Sequence, residues 1–450
     1  MFLCIYLATL YRRKLEDPMI MRGKDPQLTH VIGRCSRLAR GPRPPIWCSN
    51  GHLQFIPWLF QNELHRLVYR IVYERVYLIV TDRKNKVSTP AGEKGGYAES
   101  LKESITLDIF PALRDIEKLS LNAPIVLFAP GLRCHSHDMP GNTVVRAAFA
   151  AGFRSIVMNR RGHTPNQKLL SPRWSLFGDV DDLEQVYWHI RDSLAPTAPL
   201  HLHGLSSGCG LVVNCLGAWD ERRANGDLRA PWFVSAVAVS PGYDITTCLA
   251  RFDWPYEPLL LANVKNHFVA QNAAVLRRGH DGDDDDGHHD TAAGNKAVDA
   301  ALAATSLQTF LEACAPFTGY GDAAKFYAHC NPINKVHLIT TPLLILNAKD
   351  DPCCKYTNAF EVSPHTTHGG LTYAGLVAAS PRGALVFTPS GSHCPFLDGA
   401  LAPLCRDPLP KADGGAGLML RSWADDVAVE WFQACSEVFG EREVPEREET

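Results

Sequence analysis

Residues 203–210 read HGLSSGCG, and Gly204, Ser206 and Gly208 in that run fit G-x-S-x-G. A serine flanked two residues away by glycines suits a tight, strained turn from strand to helix, where neighbouring side chains have no room. Such a turn exposes the hydroxyl for nucleophilic attack. The N–H of Ser207, opening the following helix, suits an oxyanion. The chemistry is acyl transfer through a serine ester. The five-residue pattern alone is weakly specific, because an ordinary Gly-rich turn also matches it.

A serine hydroxyl needs a base, and the base needs an acid to orient it. Where the strand–elbow–helix context holds, the chain order is Ser, then Asp or Glu, then His. LLILNAKDDP (343–352) reads as a strand ending in Asp350 and Asp351, and VFTPSGSHCPF (386–396) as a strand and loop presenting His393. We assign Ser206 as nucleophile, His393 as base and Asp351 as acid, with Asp350 as the alternative acid. His365 and His368 are rival bases that precede the last strand, and Asp244 is a rival acid. The loop APGLRCHSHD (129–138) is expected to supply a second oxyanion donor, the N–H of Leu132, with Gly131 allowing close approach. His135, His137 and Asp138 in that loop are left out of the mechanism. Cys134, Cys209, Cys353, Cys354 and Cys394 lie within a few residues of these segments. Small side chains suit crowded turns; the rival reading is that oxidation or alkylation there blocks the site.

These segments need a scaffold that presents strand ends together. Short apolar runs at 124–129, 155–159, 199–203, 234–240, 343–347 and 384–388 read as buried strands, and 76–80 as another. Helical spacing at 142–151, 179–194, 208–218 and 423–439 alternates with them, with Asp179 as a helix cap. That alternation predicts an α/β fold: a mostly parallel central sheet flanked by helices. The alternation breaks between 243 and 339, a largely helical stretch expected to form a cap insertion. Within it, GHDGDDDDGHHD (279–290) has no apolar residue and is expected to be a solvated, disordered loop. No metal site is assigned there, since nothing fixes ligand geometry. Residues 1–45, rich in Arg, Lys and Pro, read as an extension; 46–440 as the catalytic domain, with 81–97 a loop or hairpin; and 441–450 as a charged tail.

The chain has 450 residues, 46% hydrophobic and 21% charged, with net charge −3. That balance points to neither nucleic acid nor an anionic membrane as an obligate partner. The 14 cysteines form no short framework or paired CxxC pattern, consistent with a reduced intracellular protein, cytoplasmic or membrane-associated. The apolar run 2–11 is too short for a spanning helix, which takes about 20 residues; a membrane-surface anchor, the tail of a longer spanning segment and a disordered or docked terminus are the readings it allows.

Taken together, the segments resemble the type-4 AB hydrolase family of esterase-like and lipase-like proteins. NGHLQ (50–54), PGLRCHSHD (130–138), NRRGH (159–163), GLSSG (204–208), FTGYGDAAKFYAHCNP (317–332), NAKDDP (347–352) and GSHCPF (391–396) carry the match, across about 45–435. The resemblance implies an α/β-hydrolase fold with a helical cap. It also implies a Ser206–Asp351–His393 triad and hydrolysis of lipid-like or short- to medium-chain acyl esters, without cofactor. Acyl transfer to an alcohol, or ligand binding without catalysis, are the alternatives. The family elbow continues Gly-Gly, whereas here it is Gly208-Cys209.

Overall fold

The computed structural model describes residues 11–67, 70–81, 102–164, 167–175, 177, 180–279, 291–363, 370–409 and 417–440. Nine strands form one sheet: β1 (Met19–Arg22), β2 (Glu74–Thr81), β3 (Lys102–Phe110), β4 (Ile125–Ala129), β5 (Arg154–Asn159), β6 (Leu200–Leu205), β7 (Ser235–Val239), β8 (Leu343–Ala348) and β9 (Gly383–Thr388). Their order is β1-β9-β8-β7-β6-β4-β5-β3-β2. The run from β9 to β5 is parallel, and the strands beyond it on either edge pair antiparallel. Every residue of β4 to β9 is buried, which is why those strands read as unbroken apolar runs rather than alternating ones.

Successive side chains go to opposite faces of the sheet. Leu127, Leu202, Ala236 and Ile345 pack on one face beneath helices α4 (Val180–His189), α5 (Ser207–Ala224) and α6 (Tyr373–Ala379). Phe128, Val237, Leu344 and Val386 pack on the other, beneath α1 (Pro26–Arg34), α3 (Met139–Ala150) and α7 (Trp423–Phe439). One further helix, α2 (Gly51–Leu67), lies near α3. The expected α/β-hydrolase fold, a mostly parallel sheet between helices, is what is observed.

Between β7 and β8 the chain is helical, and its Phe268, Leu307, Phe310 and Phe317 form a separate apolar cluster with Trp174 from the connection between β5 and β6. This is the stretch read as a cap. The acidic loop lies outside the described residues apart from Gly279, as do Asp179, His365, His368, residues 82–97 and the tail from 441.

The segment 11–45 differs from the expected extension. Residues 19–22 form β1, paired antiparallel with β9 from Met19↔Phe387 to Arg22↔Ala384. The helix α1 buries Leu28 and Val31 against the α7 side of the core. A four-residue strand in a basic, Pro-containing stretch leaves no periodic signal; its partner strand, far away in sequence, makes it a strand. Among the described residues no helix is long and apolar enough to cross a membrane.

Candidate active site

The turn from β6 into α5 holds Ser206 at φ 52°, ψ −119°, a conformation that a non-glycine residue adopts only when its surroundings impose it. The flanking glycines are steric requirements. A Cβ on Gly208 would stand 2.1 Å from the Ala129 carbonyl oxygen, and one on Gly204 2.7 Å from the Gly208 carbonyl oxygen. Cys209 takes the place of the family's second glycine, its single thiol proton shared between the carbonyls of Val239 (3.1 Å) and Gly204 (3.3 Å) below the turn.

Ser206 Oγ lies 2.9 Å from His393 Nε2, and His393 Nδ1 lies 2.9 Å from Asp351 Oδ2 and 3.2 Å from Oδ1. Asp351 is buried at the end of β8, and its Oδ1 accepts the N–H groups of Cys353 and Cys354, both at 2.7 Å. These two bonds fix the carboxylate while leaving Oδ2 for the imidazole. Asp350, the alternative acid, turns away. It accepts Gly391 N–H (2.9 Å), Ser392 N–H (3.0 Å) and Ser390 Oγ–H (2.9 Å), and pairs with Lys14 Nζ (3.0 Å).

The loop carrying His393 is contorted, with positive φ at Ser392, Cys394 and Phe396. It is held by the first turn of α2: Ser392 Oγ donates to the Gly51 carbonyl, and Gln54 bonds both Ser390 Oγ (2.9 Å) and Leu397 N–H (3.2 Å). That docking accounts for the NGHLQ segment. Asp244, the rival acid, caps the short helix Ile245–Leu249 through Thr247 N–H and takes hydrogen bonds from Thr246, Asn331 and Ser363.

The loop after β4 abuts Ser206: a Cβ on Gly131 would lie 3.3 Å from Ser206 Cβ. Leu132 follows, its side chain packed against the cap's apolar cluster. Behind the loop lies Arg160, the first arginine of NRRGH, whose role the spacing of residues does not disclose. Its Nη2 donates to the carbonyls of Pro130 (3.0 Å) and Gly131 (2.9 Å) and to Ser207 Oγ (3.1 Å). In a trans peptide the Gly131 carbonyl and Leu132 N–H point opposite ways, so Arg160 fixes the direction of that N–H. Burial pushes its pKa down to about 10, which leaves it cationic at neutral pH.

The far end of the same loop is anchored by Asp108 on β3, which no reading of the sequence singled out. Asp108 accepts Ser136 Oγ–H and Asn159 Nδ2–H (2.9 Å), and is gripped by two nitrogens of Arg75 at 2.7 Å each. Burial opposes its charge, but these donors outweigh it and hold its pKa below the usual carboxylate range. His135 and His137 belong to the loop's own bracing: His135 pairs with Asp138, and His137 meets Arg70 and the edge of Tyr73.

Asp351, Cys353 and His393 also place one ligand atom each within 4.8 Å of one another. Burial pushes the Cys353 thiol well above its ordinary pKa. Asp351 and His393 are already bonded to each other, so the arrangement reads as a hydrogen-bonded relay rather than a ligand set. Burial likewise raises Cys209 and Cys394, carries Cys134 to about 12, and adds to the Cys248 hydrogen bond in raising Cys354. Thiols held protonated are weak nucleophiles, which favours packing over regulation for this cluster.

A parallel sheet between helices, with a serine on a strained turn at a strand's carboxyl end and a histidine on a later loop, defines an α/β hydrolase. The model of the "Alpha/beta hydrolase family" matches residues 126–406, and the chain belongs to that family. It is 24% identical to phospholipase ABHD3 of Bos taurus, over 88% of this chain and 82% of the relative. It is 25% identical to monoacylglycerol lipase ABHD2 of Danio rerio, over 96% of this chain and 87% of the relative. Among solved structures it is similar to Est1E from Butyrivibrio proteoclasticus, at 14% identity and TM-score 0.33, covering 65% of this chain and 88% of that one.

Proposed function

We propose that the protein hydrolyses carboxylic esters of lipids by double displacement at Ser206. The observation carrying this is the unbroken relay from Ser206 Oγ through the two nitrogens of His393 to Asp351, each link at 2.9 Å. His393 takes the serine proton as Oγ attacks the ester carbonyl. Asp351 keeps the proton on Nδ1, so that Nε2 is free to act as base, and stabilises the imidazolium. The N–H groups of Leu132 and Ser207 receive the oxyanion, the first oriented by Arg160. The imidazolium protonates the departing alcohol, and a water, deprotonated by the same histidine, releases the acid. The relatives named as phospholipase and monoacylglycerol lipase support a lipid-like ester as substrate.

A fluorophosphonate probe tests the nucleophile. Wild type is expected to become labelled and to lose ester turnover, while Ser206→Ala stays unlabelled and inactive. Equal labelling of both proteins overturns the reading.

A further inference from the structure

The helix α2 is amphipathic with its polarity reversed. Inward it presents Gln54, fully buried, and Gln61, which accepts Leu420 N–H. Outward it presents Leu53, Ile56, Phe60 and Leu64, whose spacing keeps them on one stripe. Phe60 is 75% exposed and Ile56 52%. Trp47, 56% exposed, lies just ahead of the helix, with its indole N–H spent on the Leu401 carbonyl at 3.0 Å. An apolar stripe of this extent on a protein surface marks an interaction site rather than a solvated face.

Its position gives it a purpose. The first turn of α2 holds the histidine loop through Gly51 and Gln54. The same turn meets the cap, where the His52 ring stacks on Tyr256 at 5.6 Å; Trp254, two residues earlier, is 84% exposed. The stripe therefore runs from a segment that touches both the loop of the base and the cap.

Charge selects the occupant. Tyr11 donates its hydroxyl proton to the Pro44 carbonyl at 2.9 Å, which sets the turn bearing Arg12 and Arg13 beside the chain leading to Trp47. Arg12, Arg13 and Arg43 are all exposed, with the exposed acids Glu16 and Asp17 a few residues further along the first segment, and α2 itself carries a single acid, Glu63. Tryptophan, phenylalanine and leucines bordered by arginines fit the boundary between acyl chains and anionic headgroups. A two-fold contact with a second copy would bury the same stripe but bring like cations together.

We infer that the outer face of α2 seats the protein on an anionic lipid surface. The further consequence, delivery of a bilayer ester to Ser206, rests on the proposed lipid hydrolysis. Flotation of the full chain with phosphatidylcholine vesicles, with and without phosphatidylglycerol, tests the docking, comparing wild type with Ile56→Glu/Phe60→Glu and Leu53→Ser/Leu64→Ser. Wild type floats, more strongly with phosphatidylglycerol, and each double variant loses about tenfold or more of its partition. Thermal melting and turnover of a water-soluble ester stay as in wild type. Absent fluorophosphonate labelling of wild type would count against Ser206 and leave the docking standing. Unchanged flotation of both variants overturns the docking. So does a wild type that stays lipid-free, or one that dimerises without vesicles through this stripe.

Discussion

Asp350 and Asp351 are neighbours in the chain whose carboxylates serve different ends of one loop: Asp351 meets the His393 ring, and Asp350 holds the backbone at Gly391 and Ser392 just before it. One acid orients the imidazole and the other positions the segment that carries it. Asp351→Asn should lower kcat by about 10³–10⁴ through loss of the correct tautomer. Asp350→Asn should cost roughly ten- to a hundredfold through misplacement. Steady-state kinetics on a soluble ester, with labelling rates, check the ranking; equal effects would contradict the division of roles.

Arg160 should behave as a positioning residue. Arg160→Ala frees the Gly131 carbonyl and is expected to lower kcat by about 10–10², approaching the loss of one oxyanion donor, with KM little changed. Arg160→Lys supplies a cationic donor on a shorter side chain that reaches the Gly131 carbonyl less well, and should recover only part of the loss. A change confined to KM would point to substrate binding instead.

Asp425, in the first turn of α7, lies buried with Oδ2 unpartnered among the described residues. Burial, with the neighbouring Asp426 adding, raises its pKa to about 7 against a hydrogen bond from Thr143. A carboxyl raised on folding binds its proton more tightly in the native state. Its contribution therefore weakens stability as pH rises from about 4 to about 7, with a slope of up to about 1.4 kcal/mol per pH unit. Asp425→Asn should flatten that window and raise the melting temperature at pH 8 relative to wild type. Urea midpoints across pH 4–8 provide the measurement; parallel curves for the two proteins would contradict it.

The cysteines around the site should resist modification. Desolvation holds Cys209 and Cys353, both buried, and the half-buried Cys134 and Cys394 as thiols at neutral pH. Brief iodoacetamide treatment of the folded protein is expected to leave ester turnover within about twofold. Rapid inactivation, protected by a bound ester analogue, would instead favour a regulatory cluster.

The site was legible in the sequence where a turn's chemistry dictates residue type. Gly204 and Gly208 are forced by backbone contacts, and the strand ends before Asp351 and His393 are apolar runs closed by polar turns. The parts that stayed hidden act from a distance in sequence. Asp108 sits in β3, whose burial of Glu103, Thr106 and Asp108 spoils the apolar pattern of a strand. Arg160 is one of two adjacent arginines, and only the fold shows that it reaches the loop after β4 while Arg161 pairs with Asp182. Sequence spacing had no means of assigning either role.

The pairing of β1 with β9 bears on how the chain is trimmed. Composition invites a cut near residue 45, which would discard β1 and α1 together. The β9 backbone, from Ala384 to Phe387, would then stand as an open, apolar sheet edge directly before the loop of His393. An unpaired edge of that kind recruits other strands. Truncates starting there should aggregate before they lose any catalytic residue, whereas fragments that keep residues 19–34 should stay dispersed.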